Sequence, residues 1–256
     1  MKIKTHLISG AGNTFHIANQ SQAAAWPKVL KKQFANKVCS ATPADGFIFL
    51  KNDKVLSWDF FNNDGSDAEM CGNATRCVGL YLSEILREQK SKWALQTAAG
   101  VIEIEKIAID QFKIIMTEIQ IFESSKGFFC DTGVPHLIQE IAQFQDYRQL
   151  KSDAAFLRNN SEFQPHGTNV TYVELLPNKN QLRAVSYERG VEDFTEACGT
   201  GAMAAAAYNL MKRGSAQTQV EMPGGTLMMD LTDMKRPIMI GPAKLIGTYE
   251  YENPIR

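Results

Sequence analysis

Short apolar runs separated by turns predict a fold rich in β-strands. Three segments combine β-branched, aromatic and other apolar side chains over the length of a strand: residues 55–61, 170–176 and 182–187. The turn-forming residues 177–180 separate the last two. Residues 112–122 alternate only in part, which suits one strand or a bent pair. The polar stretch 139–165 predicts a surface helix with loops.

Two further segments predict helices of an unusual kind. Residues 74–86 and 202–213 have helical length and are rich in alanine, glycine and larger apolar side chains. The second ends at Gly214, and glycine is a common helix stop. Small residues on several sides let neighbouring backbones approach closely. Both segments are therefore predicted to be helices surrounded by sheet.

The two predicted helices belong to a long internal repeat. Residues 69–73, Glu-Met-Cys-Gly-Asn, reappear as residues 196–200, Glu-Ala-Cys-Gly-Thr. In both copies a helix follows, and then a glycine turn with a strand, predicted at 97–105 and 222–230. Coincidence is the alternative, because glycine turns after helices are common. The matching order of elements favours two similar α/β halves.

Composition narrows the class of protein. The chain has 256 residues, 44% of them hydrophobic and 21% charged, with a net charge of −1. These values fit one large or two small globular domains and argue against a disordered chain, a nucleic-acid binder or a polybasic membrane protein. No secretory signal and no membrane-spanning run is recognised. Five cysteines without a zinc-type spacing argue against a disulfide framework or a metal site, so a cytoplasmic protein is expected.

The repeated cysteines are the candidate reactive groups. Cys71 and Cys198 each stand at the start of a predicted helix, where N–H groups and the helix dipole favour a thiolate and can bind a carboxylate. Two such thiols on opposite faces of one carbon could remove and return its proton, which inverts the centre without a cofactor. The alternatives are buried structural cysteines, an interpretation kept for Cys39, Cys77 and Cys130, or a Cys71–Cys198 disulfide.

Longer motifs around both cysteines resemble those of a known family. Residues 61–73, followed by Arg76 and Cys77, resemble the first signature of the diaminopimelate epimerase family, and residues 187–190 with 196–202 resemble the second. Four shorter matches occur in the family's order: residues 12–15, 168–170, 223–225 and 241–243. The resemblance spans nearly the whole chain.

The resemblance implies a fold and a reaction. The fold is mixed α/β (α+β), with two pseudo-symmetric domains, each a mostly antiparallel sheet wrapped around a central helix. The expected domains are residues 1–117, completed by a C-terminal strand at 248–256, and residues 118–247, with the active site in the cleft between them. The reaction is the epimerisation of LL-diaminopimelate to meso-diaminopimelate, for lysine and peptidoglycan biosynthesis. It uses no cofactor and no metal, and the family's members are cytoplasmic homodimers.

The resemblance also implies roles for particular residues. Cys71 and Cys198 are the expected catalytic pair, and His136 and Glu188 are expected to steer the proton. The expected substrate-binding residues are Asn13, Asn62, Gly72, Asn73, Asn169, Glu188, Arg189, Gly199 and Thr200.

Three departures from the family pattern concern the substrate. Val134 stands where the family has an asparagine that helps to bind the distal carboxylate, Thr14 replaces an aspartate, and residues 39–46 lack a glycine-rich lead-in. The alternative function is therefore a cofactor-independent racemase or epimerase of another amino acid with a changed distal pocket. A binding protein that retains the fold without catalysis is a third possibility.

Overall fold

The computed structural model describes residues 2–68, 70–98 and 100–254. The helices are α1 (Lys28–Ala41), α2 (Gly72–Leu80), α3 (Lys151–Arg158) and α4 (Gly199–Arg213). The strands are β1 (Lys2–Gly10), β2 (Asn13–Asn19), β3 (Gly46–Asn52), β4 (Leu56–Asn62), β5 (Lys92–Thr97), β6 (Gly100–Lys106), β7 (Gln111–Ile115), β8 (Gln120–Phe122), β9 (Phe128–Asp131), β10 (Pro135–Glu140), β11 (Asn169–Leu175), β12 (Gln181–Glu188), β13 (Asp193–Thr195), β14 (Gln217–Met222), β15 (Gly225–Asp230), β16 (Ile238–Pro242) and β17 (Lys244–Glu252). No helix of the described residues has the length and apolar character to cross a membrane.

The chain divides into two compact units. Unit 1 comprises residues 1–114 and 242–256, and unit 2 comprises residues 115–241. The boundaries expected from the sequence, after residues 117 and 247, lie a few residues further along the chain.

Both units repeat one order of strand pairing. In unit 1 the strands lie in the order β17-β1-β2-β3-β4-β5-β6-β7, and only the pairs β2/β3 and β4/β5 are parallel. In unit 2 the order is β8-β9-β10-β11-β12-β14-β15-β16, and only β10/β11 and β12/β14 are parallel. The short β13 pairs with β12. This shared topology confirms the prediction of two similar, mostly antiparallel α/β halves.

The central helix of unit 1 is α2, and all nine of its residues are buried. It packs against β1, β2, β6 and β17. A side-chain carbon at Gly79 would lie 2.6 Å from the Phe112 ring, so only glycine permits this approach. The helix begins at Gly72, two residues before the predicted start, and a π-helical turn at Tyr81–Ile85 follows it.

The central helix of unit 2 is α4, which packs against β10, β11, β12 and β14. Residues 202–207 are completely buried. The helix ends at Gly214, whose φ of 70° is left-handed, so the predicted helix stop is confirmed.

The sheet of unit 1 is covered on both faces. In β3, Ile48 and Leu50 pack with the apolar cluster around α2, whereas Phe47 and Phe49 pack with the aromatic cluster under α1. Alternate residues of a strand point to opposite faces, so this strand is apolar throughout.

The glycine turns and strands predicted at 97–105 and 222–230 are confirmed, and each turn closes a hairpin. The segment 97–105 contains the end of β5 and most of β6, and the segment 222–230 contains the end of β14 and all of β15. Gly100 and Gly225 have φ values of 108° and 149°, and each stands at the predicted chain reversal, where β6 or β15 begins. The segment 112–122 is a pair, β7 and β8.

Candidate active site

Cys71 stands immediately before α2 in extended backbone, with φ −144° and ψ 122°, and is half-buried. Its carbonyl accepts hydrogen bonds from the Thr75 N–H and hydroxyl, both at 2.9 Å. Gly72 and Asn73 form the first turn, so their N–H groups point out of the N-terminal end of the helix. This arrangement places the thiol at the positive end of a helix dipole.

A directed pair of hydrogen bonds connects α2 to the start of β2. Arg76 Nη2 donates to Asn73 Oδ1 at 2.8 Å, and Asn73 Nδ2 donates to Asn13 Oδ1 at 2.7 Å. A guanidinium can only donate, which fixes the orientation of both amides. Burial lowers the pKa of Arg76 to about 10, which still leaves the guanidinium protonated at neutral pH.

Asn62, the last residue of β4, is exposed. Its Nδ2 donates to Ser66 Oγ at 2.9 Å, and its N–H donates to the Ser66 carbonyl at 2.9 Å. Within unit 1 the structure therefore joins Asn13 directly to Asn73, while Asn62 is held by the turn that follows its own strand.

Cys198 precedes α4 in the same way, with φ −127° and ψ 105°, but is only 5% exposed. The Gly201 N–H donates to its sulfur at 3.3 Å, and Thr200 Oγ1 lies 3.4 Å from it. Burial and the negative charge of Glu188 raise the pKa of the Cys198 thiol, and hydrogen bonds from Thr200, Gly201 and Ser186 oppose this rise.

His136 is completely buried beside Cys198. Its Nε2 lies 3.0 Å from Thr200 Oγ1 and 3.3 Å from Asn169 Nδ2, and its Nδ1 lies 2.9 Å from Thr171 Oγ1. Burial and the neighbouring Arg189 lower the pKa of His136 to about 3, so the imidazole is neutral at physiological pH.

Arg189 and Glu188 lie at the end of β12 and are half-buried. The Arg189 N–H donates to Asn169 Oδ1 at 2.8 Å, and Arg189 Nη1 donates to the His166 carbonyl at 3.0 Å. Glu188 Oε1 accepts a short hydrogen bond from the Thr195 hydroxyl. Unit 2 thus brings together the predicted residues His136, Asn169, Cys198 and Thr200, and its backbone ties Arg189 to them.

Sequence reasoning missed the buried hydroxyls around this cluster. Thr171, Ser186 and Thr132 are completely buried, and Thr132 donates to the Thr200 carbonyl at 3.0 Å. The sequence contains an indication of two of them, because Thr171 and Ser186 are polar residues within the apolar runs that form β11 and β12. Arg76 was also missed as the group that orients Asn73.

Strand registers show which positions of the two units correspond. Phe15 pairs with Gly46 where the β2/β3 pairing begins, and His136 pairs with Asn169 where the β10/β11 pairing begins. Asn13 and Val134 each follow a glycine with positive φ. The β3/β4 and β11/β12 registers extend the correspondence. The corresponding pairs are Asn13 with Val134, Phe15 with His136, Gly46 with Asn169, Asn62 with Glu188 and Cys71 with Cys198. Unit 2 therefore carries His136, Asn169 and Glu188 at three positions. Unit 1 carries Phe15, Gly46 and Asn62 at the corresponding positions.

The five cysteines, all in the described part of the chain, are thiols. Among residues 2–68, 70–98 and 100–254, no group of three or more histidine, cysteine, aspartate or glutamate side chains is arranged to hold a metal ion.

The buried histidine gives a prediction on acid stability. The unfolded state takes up a proton near pH 6.5 while the folded state keeps His136 neutral down to about 3. The unfolded state therefore binds more protons in this window, and the free energy of unfolding falls by up to about 1.4 kcal/mol per pH unit as the pH drops. We measure the free energy of unfolding with urea at pH 7.0 and 5.0. Its fall between these two pH values should be about 2 kcal/mol smaller in His136→Gln than in the wild type. His166 is exposed, so His166→Gln is the matched control. An equal fall in the free energy of unfolding in all three proteins would contradict the prediction.

Solved structures define the class of fold. A phenazine biosynthesis protein of the PhzF family from Bacillus anthracis matches with a TM-score of 0.82, 14% identity, and coverage of 99% of this chain and 100% of that chain. A hydroxyproline epimerase from Agrobacterium vitis, solved with bound trans-4-hydroxy-L-proline, matches with a TM-score of 0.71, 15% identity, and coverage of 99% and 93%. At these identities the likeness shows the fold alone.

Sequence comparison gives the family. The diaminopimelate epimerase family model matches residues 6–121 and 128–246. The diaminopimelate epimerase of Methanopyrus kandleri is 34% identical, with coverage of 93% of this chain and 85% of that protein. The diaminopimelate epimerase of Aquifex aeolicus is 34% identical, with coverage of 80% of each chain. The chain belongs to the diaminopimelate epimerase family, which confirms the resemblance found in the sequence.

Proposed function

We propose that this chain is an isomerase that converts LL-diaminopimelate to meso-diaminopimelate, a reaction of lysine biosynthesis. The observation that carries the proposal is the 34% identity to a diaminopimelate epimerase over 93% of the chain. The cysteine at the start of each central helix supports it, because inversion at a carbon needs one base and one acid.

The proposed chemistry removes one proton from the substrate and delivers another to it. The thiolate of one cysteine takes the Cα proton, and the thiol of the other delivers its own proton to the opposite face. The two sulfurs exchange roles when the reaction runs backwards. The proposal thus requires Cys71 and Cys198 to reach the same substrate carbon.

Helix starts suit the carboxylate beside the reacting carbon. Negative charge builds up on this carbon and its carboxylate as the proton leaves, and fixed N–H dipoles stabilise such charge. We assign this role to Gly72 and Asn73 at the start of α2 and to Gly199 and Thr200 at the start of α4.

Polar side chains suit the distal end of the substrate. The planar guanidinium of Arg189 can bind the distal carboxylate through two parallel hydrogen bonds. Amides at Asn13, Asn62 and Asn169 can satisfy its remaining groups, and Glu188 can pair with the distal ammonium. The orientation imposed by Arg76 and Asn73 directs the Asn13 Oδ1 toward Asn73, so its NH₂ group is the end suited to a carboxylate.

His136 and Glu188 complete the proposed proton machinery. A neutral, buried His136 steers the proton through its hydrogen bonds to Thr200 and Thr171 rather than by taking up a charge. The negative charge of Glu188 raises the pKa of Cys198, which favours the thiol form that donates a proton.

A cytoplasmic location and a homodimer are further parts of the proposal. The family resemblance supports both. The edge strand β17 also supports self-association, because it pairs with β1 on one side and exposes Leu245 and Ile246.

Exchange of the Cα proton in D₂O tests the function. The compounds tested are LL- and meso-diaminopimelate, lysine, ornithine, histidine, lanthionine and proline. NMR and mass spectrometry detect the exchange. We expect deuterium incorporation with inversion for diaminopimelate. Exchange confined to another amino acid would overturn the assignment.

The second candidate function is racemisation or epimerisation of another amino acid, and Val134 favours it. This half-buried side chain corresponds to Asn13 of unit 1 but offers no hydrogen bond. Losing one hydrogen bond to a carboxylate costs about 1.5–3 kcal/mol. The Val134→Asn variant, assayed on the same substrates, should lower the KM for diaminopimelate if this position faces the distal carboxylate.

A further inference from the structure

Two buried hydroxyl groups in unit 2 lie beside the groups that carry out the proposed reaction. Thr171 of β11 and Ser186 of β12 are directly paired across the sheet and are completely buried. Their oxygen atoms lie 2.8 Å apart. A buried hydroxyl in an apolar strand is unfavourable unless it is hydrogen-bonded, so the partners of this pair matter.

The hydrogen bonds on one side of the pair have a fixed direction. The Arg189 backbone N–H can only donate, so the Asn169 atom that it contacts is the amide oxygen. The Asn169 NH₂ group therefore faces His136 Nε2 and donates to it. A neutral imidazole that accepts at Nε2 carries its proton on Nδ1, so His136 donates to the Thr171 hydroxyl.

The other side of the pair leads to the Cys198 sulfur. Thr171 accepts from His136 and directs its own proton to Ser186, so the Ser186 proton is directed away from Thr171. The Ser186 hydroxyl lowers the pKa of the Cys198 thiol. The packing at Gly201 shows independently how closely these groups converge. A side-chain carbon built there would lie 2.0 Å from Ser186 Oγ, 3.2 Å from Cys198 Sγ and 3.2 Å from His136 Cε1.

We propose that Thr171 and Ser186 are positioning residues that form a one-way hydrogen-bond relay from His136 to Cys198. The relay keeps the Ser186 hydroxyl directed at the sulfur, as a donor to the thiolate. Its significance for catalysis rests on the proposed function, whereas its effect on the thiol does not.

The charges around Cys198 explain why the donor matters. Within unit 2, Glu188 of β12 faces the sulfur with a negative charge, and His136 of β10 is neutral. Arg189 donates to the His166 carbonyl, and its positive charge lowers the pKa of His136. The single proton of the Thr200 hydroxyl is taken by the accepting His136 Nε2 at 3.0 Å. The thiolate therefore depends on two donors, the Gly201 N–H and the Ser186 hydroxyl. Loss of one donor should raise the pKa of the thiol by about one unit.

Alkylation of each thiol by iodoacetamide tests the relay in the intact protein without substrate. Trypsin releases residues 55–76, which contain only Cys71, and residues 190–212, which contain only Cys198. Mass spectrometry of both fragments over pH 6–10 gives the rate for Cys198 with Cys71 as the internal reference. We compare the wild type with Ser186→Ala, Thr171→Val and Thr171→Ser.

Thr171→Val and Ser186→Ala should slow alkylation of Cys198 about tenfold at a given pH, because a one-unit rise in pKa lowers the thiolate fraction tenfold. Thr171→Ser keeps a hydroxyl and should keep the wild-type rate. Destabilisation alone would accelerate the reaction of this buried sulfur, which is the opposite sign.

An unchanged or faster rate in Thr171→Val would overturn the relay. Activity separates the two proposals. A wild-type protein that does not epimerise diaminopimelate would contradict the proposed function, while the alkylation rates would still decide the relay. If both hold, Thr171→Val should lower kcat with little change in KM, and Thr171→Ser should restore it.

Discussion

Cys71→Ala and Cys198→Ala are each expected to lose epimerisation, with rates reduced about 10²–10⁴-fold or more. Inversion requires proton removal on one face of the carbon and delivery on the other, so one sulfur cannot perform both steps. The two variants should also differ from each other. Each should retain slow exchange of the Cα proton only in the isomer whose proton faces the remaining sulfur.

The measurement is deuterium incorporation at Cα from LL- and meso-diaminopimelate, analysed for stereochemistry. Cys39→Ala is the control, because Cys39 lies buried in α1 with a pKa raised by burial to about 12, and no catalytic role is assigned to it. It should retain activity at a modest cost in stability. A single active variant at Cys71 or Cys198 would refute the two-thiol mechanism.

Gly201→Ala is expected to produce the second largest effect. The new methyl group would overlap Ser186 Oγ at 2.0 Å and press on Cys198 Sγ and His136 Cε1 at 3.2 Å. We expect the free energy of unfolding to fall by about 1–3 kcal/mol and activity to fall about 10²-fold, because misplacement of a reacting group by about 1 Å costs that much.

A double variant separates the steric effect from the helix itself. Ser186→Ala removes the oxygen that the methyl group strikes, so the double variant should recover stability relative to Gly201→Ala while remaining poorly active. Ala202→Gly, the control at the next position, should lose only about 1 kcal/mol from backbone entropy. Thermal and urea unfolding measure stability, and the proton-exchange assay measures activity. Equal stability of Gly201→Ala and the wild type would contradict the prediction.

The central elements of the fold were predictable because their constraints are local. Alanine and glycine in α2 and α4 identify helices enclosed by sheet, and Gly214 supplies the left-handed helix end. The turns at Gly100 and Gly225 were also predictable, because glycine is the residue that most readily adopts the positive φ of a chain reversal. The strands β1, β2 and β3 were not predicted from the sequence. Burial on both faces removes the alternation of polar and apolar residues from β3.

The candidate site was predictable to a similar degree. The repeated cysteine motif identified Cys71 and Cys198, and the family resemblance supplied His136, Asn169 and Thr200, which unit 2 brings together. Thr171 and Ser186 were not found, because their role depends on a strand register that places two distant residues side by side. Arg76 lies within the first motif, but only the structure connects it to Asn73 and Asn13.

Unit 1 is built from two separate segments of the chain, which affects how the protein folds during its own translation. Unit 2 is a continuous segment, whereas the sheet of unit 1 pairs β1 with β17 from Lys2↔Glu252 to Ser9↔Lys244. The ribosome completes the whole of unit 2 before it makes β17. We therefore expect the second half of the chain to fold first during translation, since domains fold as units. Until β17 emerges, the edge of β1 is a surface that other chains can pair with, and this interval is when the nascent protein most needs a chaperone.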